Sequence, residues 1–317
     1  LAVKTDLTKE DLACFLYDSI YKKLLKLKDD VIIYPGHGAG SQCGKNLSKE
    51  RQCTIGLQKK TNYALQFSNR DCFVEAVLSG LTSPPQYFPK NALINKNGYN
   101  PLSKVLEESC KELKGKDFNA ILANKDVIII DSRSQEDFLK SHVKNAINVG
   151  LNGSFAVWVG TLINDLDTPL LVVADKGKEK ETILRLARVG YENVKGFLSN
   201  TSMVSEDCEI EFKQSKTICS KKFNDLSDAV NVVDVSTTNE YENSHVLGAI
   251  NIPLANLQDD SIKLIKDIPY YIYCKSGYRS VIACSILEKM GFNNVVNVNK
   301  GYDSIMSSSL TCSCSAN

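Results

Sequence analysis

Asp131 to Asn148 reads DSRSQEDFLKSHVKNAIN, and Asp234 to Asn251 reads DVSTTNEYENSHVLGAIN. The leading Asp, an acidic position (Asp137, Glu240), Ser-His-Val and Ala-Ile-Asn fall in register 103 positions apart. Further on, Gly190-Tyr191-Glu192-Asn193-Val194 matches Gly291-Phe292-Asn293-Asn294-Val295. A duplication of this kind fixes the domain plan. Two copies about 100 residues long are each of a size to bury their own core, and they must share a topology. Between the landmarks each copy has an apolar strand after a proline. In the second copy that strand ends in Cys274 and opens the loop Cys274-Lys275-Ser276-Gly277-Tyr278-Arg279. In the first copy the sequence puts Asp175 at the corresponding place.

The rest of the 317 residues is divided by the repeat. The spacing predicts a first segment over residues 1–101, a copy without the loop cysteine (Cys-less in that sense) over 102–204, a copy with it over 205–308 and a polar tail over 309–317. Val127 to Ile130 and Leu170 to Val173 are continuous apolar runs, as expected of strands covered on both faces of a parallel sheet. Val230 to Val235 and Tyr270 to Tyr273 repeat them. Helical patterns lie between, closed by Gly190 and Gly291. Ile282, Ala283, Ile286, Leu287 and Met290 define one apolar face of the helix after the cysteine loop. Strands alternating with helices give an α/β class built from βαβ units. In the first segment the pattern predicts a helix from Lys9 to Leu27 capped by Thr8, a strand over Val31 to Tyr34, a glycine-rich turn over Pro35 to Ser41, and helices near 55–64 and 70–79. Asn95 to Pro101 reads as linker.

Composition bounds the function. A net charge of +1 with 24% charged residues gives no support for nucleic-acid binding or electrostatic membrane attachment. No apolar run approaches the roughly 20 residues of a membrane helix. Eleven irregularly spaced cysteines without a CxxC pair argue against a zinc knuckle or a thioredoxin-type dithiol. They read as reduced thiols of a cytoplasmic protein.

Cys274 is the exception. It closes a strand and precedes a helix, where ligands bind in open α/β sheets. A short strand-to-helix loop can turn its amides inward, and the helix N-terminus adds its positive end. Arg279 closes the loop and Lys275 adds charge, so a thiolate at Cys274 would be stabilised. Gly277 suits a backbone conformation that β-carbons resist. Phosphate transfer and sulfane-sulfur transfer both use such a cradle. The short loop, with four residues between Cys274 and Arg279, suits a sulfur atom on cysteine better than the tetrahedral phosphate of a cysteine phosphatase or arsenate reductase. His142 and His245 occupy the same frame in both copies, so they read as turn-fixing residues.

The order Asp234, Glu240, His245, Gly248 to Pro253, Cys274-x-x-Gly277-x-Arg279, Gly291-Phe292 and Gly301-Tyr302 resembles the rhodanese family, in tandem. Ser236 departs from the usual arginine, which the first copy keeps as Arg133. The resemblance implies two rhodanese-like doubly wound parallel-sheet domains. It implies that Cys274 takes sulfane sulfur from a thiosulfate or persulfide donor and passes it to a thiol acceptor. Lys275, Ser276, Gly277, Tyr278 and Arg279 would bind the substrate, and the Cys-less copy would be inactive. A non-enzymatic sulfur carrier or interaction module is the alternative, and self-association is compatible with either.

The first segment, with Tyr34-Pro35-Gly36-His37-Gly38-Ala39-Gly40-Ser41, Cys43-Gly44-Lys45, Lys59 to Leu65 and Pro85 to Pro89, resembles the C-terminal half of a metallo-β-lactamase fold of the persulfide-dioxygenase-like branch. That resemblance implies a partial αββα domain and makes His37 the family's final metal ligand. The chain has three histidines, and two belong to the repeats. His37 is therefore expected to be the orphan ligand of an incomplete site. The expectation is a fragment of a longer fusion protein that binds no cofactor itself. Iron or zinc, with dioxygenase or hydrolase activity, would belong to the full-length parent.

Overall fold

A computed structural model describes residues 7–36, 49–67, 69–79, 87–124, 126–199, 210–226 and 230–308. His37, most of the glycine-rich turn and the 309–317 tail lie outside the described residues. The chain divides into two compact units, Leu1–Leu93 and Ile94–Asn317.

In the first unit, helix Lys9–Lys22 starts at a capping box. The Thr8 hydroxyl accepts the Asp11 amide, and the Asp11 carboxylate accepts the Thr8 amide. The helix is shorter than its apolar pattern suggests, because a 3-10 turn at Leu24–Lys26 replaces its last turn. Tyr17 and Tyr21 pack on Phe73, which is buried in helix Arg70–Leu78. Strand Ile32–Ile33 pairs antiparallel with Cys53–Thr54. Helix Tyr87–Asn97 runs into the stretch read as linker and stops at Gly98, whose φ of +94° suits glycine.

The second unit holds the two repeats. The first sheet runs Ile147–Asn148, Ile128–Asp131, Leu170–Ala174, Val194–Ser199, all parallel. The second runs Ile250–Asn251, Asn231–Asp234, Tyr270–Tyr273, Val295–Val298, Lys216–Ile218, also all parallel. The first four strands follow one order in both. Among the described residues the fifth has a counterpart in the first repeat only as a single bridge between Glu112 and Phe197. Leu170 to Ala174 are all fully buried, which accounts for the unbroken apolar run.

The strand register corrects one reading of the sequence. Asp131 pairs with Val173, and its repeat equivalent Asp234 pairs with Tyr273. The next residues, Ala174 and Cys274, are therefore the true counterparts, and Asp175 lies one position beyond. The sequence landmarks miss this because the connection before the third strand is longer in the first copy. From these counterparts to the helix-ending glycines the two loops and helices differ by one residue: Ala174 to Gly190 against Cys274 to Gly291.

Helix Tyr278–Lys289 also differs from its sequence pattern. Every residue from Ser280 to Leu287 is buried, not one face alone. One side lies on its own sheet. The other lies against the first repeat, where Val281 enters the core formed around Phe118, Ile129 and Leu198.

Candidate active site

Cys274 sits at the C-terminal end of the central strand of the second sheet, with no exposed surface. Its Sγ accepts the Gly277 amide at 3.2 Å. That amide points inward because Gly277 has φ of +93°, a left-handed conformation that a β-carbon strains. A β-carbon there would also press on the Lys300 backbone at 3.1 Å. The loop is pinned from below by the helix Gly301–Ser308. The Tyr302 amide donates to the Cys274 carbonyl at 2.8 Å and the Asp303 amide to the Lys275 carbonyl at 3.0 Å. Gly301 permits this approach, since a β-carbon on it would fall on the Cys274 carbonyl oxygen.

Arg279 lies on the first turn of the helix that follows Cys274. Glu240 holds it in place: Nη1 donates to Oε2 at 2.6 Å and Nη2 to Oε1 at 2.8 Å. This fork leaves three of the five guanidinium N–H bonds for other acceptors. Burial works against the charge on Arg279, but the bonds to Glu240 and the nearby sulfur outweigh it and raise its pKa. The same fork brings the Glu240 carboxyl down to about 2, helped by the Thr237 amide and hydroxyl. The sequence marked Glu240 only as a repeat landmark. Its pairing with Arg279 spans 39 positions and has no local signal.

The five loop residues expected to bind substrate are not equivalent. The Gly277 amide donates to the sulfur, and the Arg279 guanidinium is held by Glu240. Lys275 and Ser276 are exposed at the rim. Tyr278 turns away, and its hydroxyl donates to the Gly150 carbonyl in the first repeat at 2.7 Å. Burial raises the Tyr278 pKa, which keeps the hydroxyl a donor.

Both histidines do the work expected of turn residues. The His142 ring N–H donates to the Phe138 carbonyl at 2.9 Å, and the ring stacks on Phe138. The His245 ring N–H donates to the Tyr241 carbonyl at 2.8 Å and stacks on Tyr241. The Ser236 departure changes the surroundings of the buried aspartate. In the first repeat Arg133 bonds to Asp131 at 2.6 Å and to the Ser141 carbonyl at 2.8 Å. In the second, Asp234 takes the Ser236 amide at 2.8 Å, and the Tyr273 hydroxyl accepts the Val246 amide at 2.9 Å. Tyr273 stands where the first repeat has Val173; burial raises the pKa of its hydroxyl, and the Asp234 charge adds to this.

The Cys-less loop keeps the turn and has a carboxylate where the other has a sulfur. Gly177 matches Gly277, with φ of +86°. Its amide donates to the Glu179 carboxylate at 2.7 Å, which takes the place of the sulfur as acceptor. Glu179 also stands two residues after the glycine, where the other loop has Arg279.

This geometry defines a protein class. The family model described as "Rhodanese-like domain" matches residues 115–198 and 220–308, more than half of the chain, so the chain belongs to that family. It is 32% identical over 123 residues to the Bacillus subtilis protein named "Putative sulfur carrier protein YrkF", covering 39% of this chain and 60% of that protein. It is 36% identical over 67 residues to the Escherichia coli thiosulfate sulfurtransferase PspE, covering 20% of this chain and 64% of that protein. A metallo-β-lactamase structure from Staphylococcus aureus superposes with a TM-score of 0.51 at 26% identity, over 63% of this chain and 54% of that one. The chain thus spans less than two thirds of the length of each of these proteins. Among the described residues no three His, Cys, Asp or Glu side chains converge as a metal site requires. No helix among them is long and apolar enough to cross a membrane.

Proposed function

We propose that this chain is a sulfurtransferase in which Cys274 carries the sulfane sulfur. The observation that supports this most directly is the Cys274 sulfur at a strand end, with the Gly277 amide donating to it and the Arg279 guanidinium, held by Glu240, on the first turn of the helix that follows. The Cys274 thiolate attacks the outer sulfur of a thiosulfate-like donor. The donor S–S bond breaks, sulfite leaves with its electron pair, and a persulfide forms on Cys274. A thiolate acceptor then attacks the outer sulfur of that persulfide, and the Cys274 thiolate leaves. Atoms and electrons balance without an external oxidant.

Each residue has a task in those steps. The Gly277 amide and the helix N-terminus stabilise negative sulfur at both stages. The free donors of Arg279 hold the anionic end of the donor, and Glu240 keeps the guanidinium plane fixed. A sulfur with no exposed surface favours slim donors over bulky ones. The S. aureus neighbour supports placing this transfer beside a metallo-β-lactamase-fold domain that consumes or supplies persulfides in a fusion protein. No step above passes through a metal.

The name of the B. subtilis relative favours a second reading, a sulfur carrier without turnover. Both readings require loading, and only the first requires multiple turnovers. The test is incubation with thiosulfate, mapping of the added sulfur by mass spectrometry, and assay of continuous transfer to cyanide or a thiol. One added sulfur on Cys274 and turnover lost in Cys274→Ser are expected. Full loading retained in Cys274→Ser would sink the assignment.

A further inference from the structure

The helix that follows Cys274 presents a second stripe, made of Tyr278, Val281, Ser285 and Glu288. The spacing of three, four and three residues puts them on one side of the helix. All four engage the first repeat. The Tyr278 hydroxyl donates to the Gly150 carbonyl at 2.7 Å. Val281 is buried in the first repeat's core. The Ser285 hydroxyl accepts the Asn148 amide at 3.2 Å and donates to the Ile282 carbonyl at 2.7 Å. The Glu288 carboxylate lies 3.5 Å from His142 Nε2.

The contact at Tyr278 is the tightest and is nearest the sulfur. The ring lies against Gly153, so closely that a β-carbon there would fall on ring atoms Cε2 and Cζ. The segment it rests on is itself fixed. The Leu151 amide donates to the Ser132 carbonyl at 3.1 Å, and Arg185 donates to the Leu151 carbonyl at 3.1 Å. A β-carbon on Gly150 would meet Gln135, Asn152 and the Arg133 carbonyl, so this turn has little room to shift. Tyr278 stands between Gly277, whose amide donates to the sulfur, and Arg279, which Glu240 holds on the same first turn of the helix. Its ring therefore sets where both neighbours point.

We propose that Tyr278 is a positioning residue, and that the Cys-less repeat, through its Gly150–Gly153 turn, is a working part of the Cys274 centre. The proposal rests on the sulfur-transfer reading. Tyr278 touches no reacting atom; it holds the backbone that does. The Cys-less repeat is thus retained as the wall against which the active loop is aligned.

The experiment compares Tyr278→Phe, Gly153→Ala, Tyr278→Ala and the Gly153→Ala/Tyr278→Ala double variant in the whole chain. Loading by thiosulfate, kcat, KM and thermal midpoint are measured for each. Loss of one hydrogen bond should lower kcat of Tyr278→Phe by about five- to tenfold, with KM changed less. Gly153→Ala should lower kcat further in the presence of the ring and add nothing in Tyr278→Ala, where the methyl meets no ring. A purely structural role would lower the midpoint and leave kcat of the folded enzyme intact, and that result overturns the proposal. So does additivity of Gly153→Ala and Tyr278→Ala. Should Gly153→Ala fail to fold, wild-type kcat in folded Tyr278→Phe still overturns it. Failure of the wild-type chain to load sulfur overturns the sulfur-transfer reading, a separate result.

Discussion

Arg279 and Glu240 face each other as a planar fork, with two hydrogen bonds of 2.6 and 2.8 Å beside the Cys274 sulfur. The equivalent positions in the first repeat carry Glu179 and Asp137, two like charges. Arg279→Lys should therefore lower turnover by about tenfold or more, because an ammonium cannot hold a carboxylate and a donor anion in one plane. Steady-state transfer with thiosulfate checks this. Wild-type kcat/KM in Arg279→Lys would show that charge alone suffices.

The same fork predicts a pH dependence of stability. Glu240 ionises at about 2 in the folded chain against an ordinary 4.5, with Arg279 as the main cause. A depressed carboxyl binds fewer protons folded than unfolded, so its contribution is complete above about 4.5 and is lost as pH falls toward 2. Glu240→Gln should be less stable than wild type at neutral pH. The gap between the two should close across that window in thermal melts. A gap that stays constant from pH 6 to pH 2 would rule out the linkage.

The Cys-less loop can be tested by restoring its chemistry. Ala174→Cys alone should not load sulfur, because Glu179 occupies the Gly177 amide and repels an anion. Ala174→Cys with Glu179→Arg, in a Cys274→Ser background, should gain measurable loading by mass spectrometry. Equal loading with and without Glu179→Arg would show that the carboxylate is no obstacle.

Two glycines should rank by what their β-carbon meets. Gly277→Ala enforces a left-handed alanine beside the Lys300 backbone, at a cost of about 1–3 kcal/mol. Gly301→Ala drives a methyl into the Cys274 carbonyl oxygen, which is backbone and cannot turn aside, so the cost should reach about 4 kcal/mol or more. Urea denaturation measures both. The opposite ranking would mean that the Gly301–Ser308 helix can move away from the loop.

The Tyr273 hydroxyl accepts the Val246 amide in the repeat that lacks the arginine. Tyr273→Phe strands that part-buried amide, a loss of about 1–3 kcal/mol. Tyr273→Val with Ser236→Arg copies the first repeat and should recover part of that loss. Chemical denaturation of the two variants decides it; a double variant weaker than Tyr273→Phe would show that the two repeats satisfy their aspartates by unrelated means.

The sequence by itself determined the repeat, the α/β alternation, the strand-loop-helix setting of Cys274 and the need for Gly277. These are local properties. Apolar runs, helix stops and turn glycines act through neighbours a few residues apart. The equivalence of Ala174 with Cys274, the grip of Glu240 on Arg279 and the second buried face of helix Tyr278–Lys289 were decided only in three dimensions. Strand register depends on hydrogen bonds to another strand, so unequal connections hide it from residue counting. A helix buried on both sides loses its one-sided pattern, and Tyr278 and Ser285 look like surface residues until Gly150 and Asn148 close on them.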